Sequence, residues 1–162
     1  KEETIRQQLA GINDTLNQAM NSIRESVHDL HDDAIDLRQA AYEAVKDMRK
    51  NYDVHIEYDM SAHIPRNVKY CFIAIVKEGM SNIIKHSNAD KVDIIFREHP
   101  GFYQLCIEDN GSVSHSVKES DHGIGISNMR ERVEALGGTL NIRQKNGFRI
   151  FATVRKEMEE TE

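Results

Sequence analysis

Cysteine and proline are scarce in this 162-residue chain, and tryptophan is absent. It has two cysteines, each in an apolar run: Cys71 in Tyr-Cys-Phe-Ile and Cys106 in Gln-Leu-Cys-Ile-Glu. That placement argues against a disulfide framework and reads as two small buried hydrophobes in a reducing compartment. The two prolines mark boundaries: Pro65 suits a first helical turn, and Pro100-Gly101 suits a tight turn. Asp and Glu outnumber Lys and Arg by 27 to 21, a formal net charge of −6, and aromatic residues make up only 6%. No basic stripe with interleaved aromatics exists, which argues against nucleic acid as a direct partner. No apolar run is long enough to cross a bilayer as a helix.

Against these absences stand 39% hydrophobic and 30% charged residues, enough for one ordinary domain with an appended helix. Ile5, Leu9, Ile12, Leu16, Ala19 and Ile23 step by 4, 3, 4, 3 and 4, and Val27 and Leu30 continue the stripe. Such a period is a coiled-coil or bundle seam, and one helix cannot bury it alone. A partner helix is therefore expected. The chain begins inside this helix, which reads as a piece of something longer.

His28-Asp29-Leu30-His31-Asp32-Asp33 interrupts the pattern. Asp33 is the expected N-cap of a second helix presenting Ala34, Leu37, Ala41, Val45 and Met48. Val54 to Tyr58 alternates as a strand, and a long helix follows Pro65 to about Ser87. Val92 to Phe96 and Tyr103 to Ile107 read as a strand pair. Residues 110–122 have few core-forming side chains and read as a mobile loop. A helix is expected from Ser127 to Leu136, stopped by Gly137-Gly138. Thr139 to Arg143 and Phe148 to Arg155 form a hairpin around Asn146-Gly147. The tail from Lys156 is expected to fray. This order predicts an α+β fold, a two-layer sandwich of a mixed sheet covered by helices, preceded by a long coiled-coil-like helix.

Glu78, Asn82 and Lys85 stand at i, i+4 and i+7, one stripe of a helix that is otherwise apolar. A carboxylate, a carboxamide and an ammonium there suit a ligand with phosphate and metal, although charge on a half-exposed helix is also ordinary. Asp109-Asn110-Gly111 is a possible turn. Gly123-Ile124-Gly125 lacks the third glycine of a dinucleotide fingerprint, yet is expected at a helix start, where free N–H groups favour phosphate.

Together these segments resemble the motifs of sensor histidine kinases. Phe72 to Ser87 resembles the N box, Ile107-Glu-Asp-Asn-Gly111 the first glycine box, and Gly123 to Gly138 the second glycine box with its helix. The arrangement is most similar to the DesK/NarX-like subfamily, over residues 14–155. The resemblance implies ATP and Mg²⁺ as cofactors. It implies Glu78 as the general base or orienting group, Asn82 as the metal ligand, and Lys85 and His86 near the phosphates. It also implies Asp109 on the adenine amino group, and Gly111, Gly123, Gly125 and Ile126 around the nucleotide. Val113 replaces the family's second glycine of the first box, and Gly147-Phe148 its late Gly-Thr. Those departures leave lid, adenine pocket and affinity open.

The subfamily's acceptor is a His followed by Asp, as in His31-Asp32. Too little chain lies between His31 and Glu78 for the rest of a dimerisation hairpin. Residues 1–32 are therefore expected to be the second helix of that hairpin and 33–158 the catalytic domain, with the acceptor upstream. The implied partners are a second copy through the N-terminal helix and a NarL-type response regulator. The implied location is cytoplasmic, as part of a sensor anchored to a membrane by upstream segments. The rival expectations are a non-kinase ATPase of the same superfamily and a degenerate interaction module.

Overall fold

The computed structural model describes the backbone of residues 1–31, 35–112 and 119–158. The chain divides into two compact units, Lys1–Ile35 and Asp36–Glu162. The first is one helix, α1 (Glu2–His31), with Glu2 and Glu3 in its first turn, where negative charge favours the helix dipole. Ile5, Leu9, Ile12, Leu16, Met20 and Ile23 are each 52–62% exposed. The heptad stripe is therefore formed but not buried.

The second unit is an α+β domain of α2 (Leu37–Ala44), a 3₁₀ turn (Met48–Lys50), β1 (Asp53–Asp59), α3 (Arg66–His86), β2 (Lys91–Glu98), β3 (Phe102–Asp109), α4 (Glu119–Ala135), β4 (Thr139–Arg143) and β5 (Arg149–Arg155). The sheet order is β1-β2-β3-β5-β4. β1 and β2 are parallel and the other neighbours antiparallel. A parallel pair needs a crossover, and α3 supplies it. The strands alternate except at Cys106 of β3, which is buried between Leu105 and Ile107: Ile56, Ile94, Leu105 and Ile150 are buried, while Glu57, Asp93 and Glu108 look outward. One face of the sheet is thus the core face.

On that face α3 buries Val68, Phe72, Ile75, Val76 and Ile83 at helical spacing. Phe96 lies between Tyr58 and Phe72, with ring centroids 5.4 and 6.4 Å away. α3 approaches the strands closely at Gly79, where a Cβ would stand 2.9 Å from Ile150 Cδ1 and 3.2 Å from Ile107 Cδ1. Cys71 and Cys106 are both buried. Burial pushes the Cys71 thiol up to about 11, partly opposed by Arg132.

Three expectations change. The N-cap of α2 is Asp36, whose carboxylate accepts from the N–H groups of Arg38 (2.9 Å) and Gln39 (3.3 Å); Asp33 and Ala34 lie outside the described residues. Capping requires proximity to the first turn, and burial of Leu37 and Ala41 sets where that turn begins. α4 starts at Glu119 rather than Ser127, so part of the expected loop is helical. Packing of Ile126, Met129 and Val133 outweighs the low helix propensity of the glycines. Lys156, expected to fray, donates its backbone N–H to Gly101 O at 2.9 Å and its ammonium lies 3.7 Å from Glu98. The tail beyond residue 158 lies outside the described residues.

The C-terminus of α4 follows expectation. Gly137 has φ +70° and Gly138 N–H donates to Val133 O at 2.9 Å, a glycine-closed helix end.

Candidate functional site

Three segments meet at the end of the sheet where α3 terminates: the loop from α3 into β2, the end of β3, and the loop before β5. Asp109 closes β3 opposite Val92. Its Oδ1 accepts from Gly111 N–H at 2.8 Å and Phe148 N–H at 3.2 Å. Its Oδ2 is buried and has no hydrogen-bond partner. An ionised carboxylate can accept about four hydrogen bonds, and burying one without them is costly. The orientation of Asp109 is thus fixed through one oxygen while the other waits for a donor.

The surrounding chain is clasped by side chains. Asn110 Oδ1 accepts from the N–H groups of Asp90 (3.1 Å) and Lys91 (3.0 Å), and its Nδ2 donates to Asp90 Oδ1 at 2.6 Å. Asn88 Oδ1 accepts from Ser112 N–H at 3.1 Å, and Asn88 Nδ2 donates to Ser112 Oγ at 3.2 Å. Gly111 sits inside this clasp. A Cβ there would meet Ser87 Oγ at 2.8 Å, Asn88 Oδ1 at 2.9 Å and Asp109 Oδ1 at 3.0 Å. Gly147, with φ +98°, comes equally close to Asp109.

α3 contributes the second wall. Asn82, 6% exposed, and Asp109, 5% exposed, are the two buried polar side chains among the described residues. Asn82 Nδ2 also lacks a partner. Glu78 and His86 are half-buried, and Lys85 is exposed. Lys85 and His86 occupy the last turn of α3, where positive charge favours the helix dipole. Gly125 of α4 lies directly against Glu78: a Cβ at position 125 would overlap the Glu78 carboxyl group.

The structure thus brings Glu78 to Gly125 and Asp109 to Gly111, with Asn82 buried on the same helix as Glu78. Ile126 joins the hydrophobic core cluster. Gly123 and Gly125 lie inside α4, not at its start. The free N–H groups of that helix therefore belong to residues upstream of the glycines, and the helix-terminus argument for phosphate does not reach Gly125. Val113 lies outside the described residues, as do the side chains of His28 and His31.

The donor set suits a nucleotide with its metal. Asp109 offers a buried acceptor for an amino group. Asn82 offers a buried carboxamide, with an oxygen suited to a hard cation that keeps most of its waters. No cluster of three or more His, Cys, Asp or Glu side chains that could hold a metal exists among the described residues.

Sequence reasoning passed over Asn88 and Ser112, and took Asn110 only as a turn former. The Asn-Gly pair directly after a strand was the available signal. The Phe148 departure is harmless to the Asp109 bond, because the backbone amide, not a side chain, makes it.

Residues 71–158, more than half of the chain, match the model of the family described as histidine kinase-, DNA gyrase B-, and HSP90-like ATPase. The signal transduction histidine-protein kinase/phosphatase UhpB of Salmonella typhimurium is 39% identical over 82 residues, 49% of this chain and 16% of that protein. The sensor histidine kinase ComP of Bacillus subtilis is 26% identical over 164 residues, 96% of this chain and 21% of that protein. The chain thus spans about a fifth of the length of these curated relatives. The histidine kinase domain of the Erythrobacter litoralis EL346 blue-light activated kinase shares the fold, with a TM-score of 0.61 at 20% identity over 73% of this chain and 58% of that one.

Proposed function

We propose that this chain, which belongs to the histidine kinase-, DNA gyrase B- and HSP90-like ATPase family, is the ATP-binding catalytic region of a sensor histidine kinase. The whole protein transfers the ATP γ-phosphoryl group to a histidine and then to an aspartate of a response regulator. The observation that carries the reading is the pair of buried, incompletely bonded polar side chains, Asn82 and Asp109, at one end of the sheet.

In this reading Asp109 Oδ2 accepts from the adenine amino group, with Gly111 and Phe148 N–H groups holding the carboxylate in place. Asn82 would hold Mg²⁺, which would supply charge neutralisation at the transferring group. Glu78, set by its contact with Gly125, orients the attacking imidazole or takes its proton. Lys85 and His86 steer the phosphates, and Gly123, Gly125 and Ile126 form the wall contributed by α4. Such a site works mainly by positioning.

The acceptor lies upstream of Lys1. Leu37, Ala41, Val45 and Met48 belong to the core of the catalytic domain, which supports reading α2 as part of that domain rather than as a returning dimerisation helix. On this division residues 1–32 are half of a dimerisation hairpin and 33–158 the catalytic domain. The exposed stripe of α1 supports homodimerisation. The motif order supports the DesK/NarX-like subfamily, hence a NarL-type regulator and a place on the cytoplasmic side of a membrane-anchored sensor.

Titration calorimetry with Mg-ATP tests the reading. Saturable binding is expected, weakened at least tenfold in Asn82→Ala, with no acid-labile phosphate incorporated by the chain alone. Negligible binding in both proteins contradicts it, and acid-labile label on His31 overturns the upstream acceptor.

A further inference from the structure

The outer face of the sheet, opposite the core, carries a feature that ATP binding does not use. In one cross-strand row Asp93 faces Glu108, Glu108 faces Arg149 and Arg149 faces Arg143. Like charges stand directly opposite at both ends of that row, an arrangement that costs stability in antiparallel pairs. Alternation would have been the favourable order. Segregation instead leaves two guanidiniums together on β4 and β5.

They line a hollow of about 300 Å³ with Asn141 and Phe151. Asn141 faces Phe151 in the neighbouring row. The Arg149 guanidinium carbon stands 5.7 Å from the Phe151 ring centroid, and Arg149 Nε is buried without a hydrogen-bond partner. Internal neutralisation is partial: Glu108 lies 3.6 Å from Arg143, with both side chains about half exposed, and the Arg149 side chain interacts with Cys106 and Glu108. The hollow therefore combines two forked cationic donors, a carboxamide and an aromatic face, at the small end of ligand-site volumes.

We propose that this hollow binds a small planar anion, an aromatic ring bearing a phosphate or carboxylate, with Arg143 and Arg149 on the oxyanion and Phe151 beside the ring. The site is independent of the nucleotide reading: Glu108 and Arg149 point outward where their neighbours Asp109 and Ile150 point into the core.

The test is residue-resolved NMR titration of the full chain with phenyl phosphate and, separately, benzoate. Saturable shifts at residues 141, 143, 149 and 151 are expected. Response to phenyl phosphate alone identifies a phosphate site, and to benzoate alone a carboxylate site. Arg143→Ala and Arg149→Ala should each weaken binding about tenfold. Glu108→Gln, which removes the competing carboxylate, should tighten it severalfold. Arg97→Ala serves as a control of equal charge on the same face, since Arg97 pairs with Glu57 at 3.7 Å. No saturable shift from either probe, or an equal loss in Arg97→Ala, overturns the proposal.

Discussion

Glu98 and Asp109 are carboxylates at opposite ends of neighbouring strands, and their surroundings differ. Glu98, at the end of β2, accepts from Ser61 N–H at 3.3 Å and Ser61 Oγ at 2.9 Å. Lys156 Nζ lies 3.7 Å from it and 5.2 Å from the centre of the Tyr103 ring. Asp109, at the end of β3, is more deeply buried, yet one of its oxygens has no donor. An orphaned buried acceptor typically costs about 1–3 kcal/mol. The closed end shows that this chain can give each oxygen of a carboxylate a partner. The open end therefore reads as a place where a ligand completes the bonding, and where stability and binding pull apart.

The largest effect expected from breaking this contrast is at Asp109. Asp109→Asn keeps an oxygen for Gly111 and Phe148 but sets an amide N–H₂ where Oδ2 stands. Mg-ATP affinity should fall about a hundredfold, while the melting temperature changes little, because one unpartnered buried polar atom replaces another. Calorimetry and a thermal melt read the two quantities separately.

Gly125→Ala comes next. The added methyl group overlaps Glu78, so α3 and α4 must part or Glu78 must turn. A stability loss of about 1–3 kcal/mol is expected in denaturant unfolding, with a larger fall in phosphoryl transfer by the complete kinase than in ATP affinity. Asn110→Ala opens the clasp to Asp90 and Lys91. It should cost about 1–2 kcal/mol and weaken ATP binding severalfold, through the displaced Asp109-Gly111 segment.

At the closed end Glu98→Gln should cost under about 1 kcal/mol and leave ATP affinity unchanged. An ATP effect there as large as at Asp109 would erase the contrast.

The smallest effect is alkaline. The folded-state pKa of Cys71 lies at about 11, above its ordinary 9.0, because burial disfavours the thiolate. Its contribution to stability is complete below pH 9 and is lost as pH rises towards 11. Burial also raises Tyr58 and Tyr103, so Cys71→Ala should flatten this alkaline limb only in part. Melting temperatures between pH 8 and 11 would show it.

Periodic patterns made most of the architecture legible. The alternation of the strands and the apolar face of α3 report burial directly, whereas the heptad of α1 reports the helix but not its burial, since the stripe is exposed. What was not legible depended on distant partners. Asp33 is the cap the sequence suggests, and the burial of Leu37 and Ala41 sets the first turn so that Asp36 caps it instead. The early start of α4 runs against the propensity of Gly123 and Gly125 and follows from its packing against the core. Lys156 looks like a charged tail until Glu98 and Tyr103 are placed beside it. For the site, motif order led to Glu78, Asn82 and Asp109. Only the fold reveals that Asn82 and Asp109 are buried with unmet hydrogen bonds, and only strand register sets Arg143 against Arg149.

The central claim is that Asp109 Oδ2 awaits the amino group of a nucleotide base. Competition between ATP and GTP, with Mg²⁺, on the wild-type chain and Asp109→Asn tests it most directly. An acceptor at Oδ2 suits the adenine amino group and opposes the guanine oxygen. The account predicts a preference for ATP of at least about a hundredfold in the wild type, largely lost in Asp109→Asn. Equal binding of both nucleotides by the wild type, or an undiminished preference in Asp109→Asn, would contradict it.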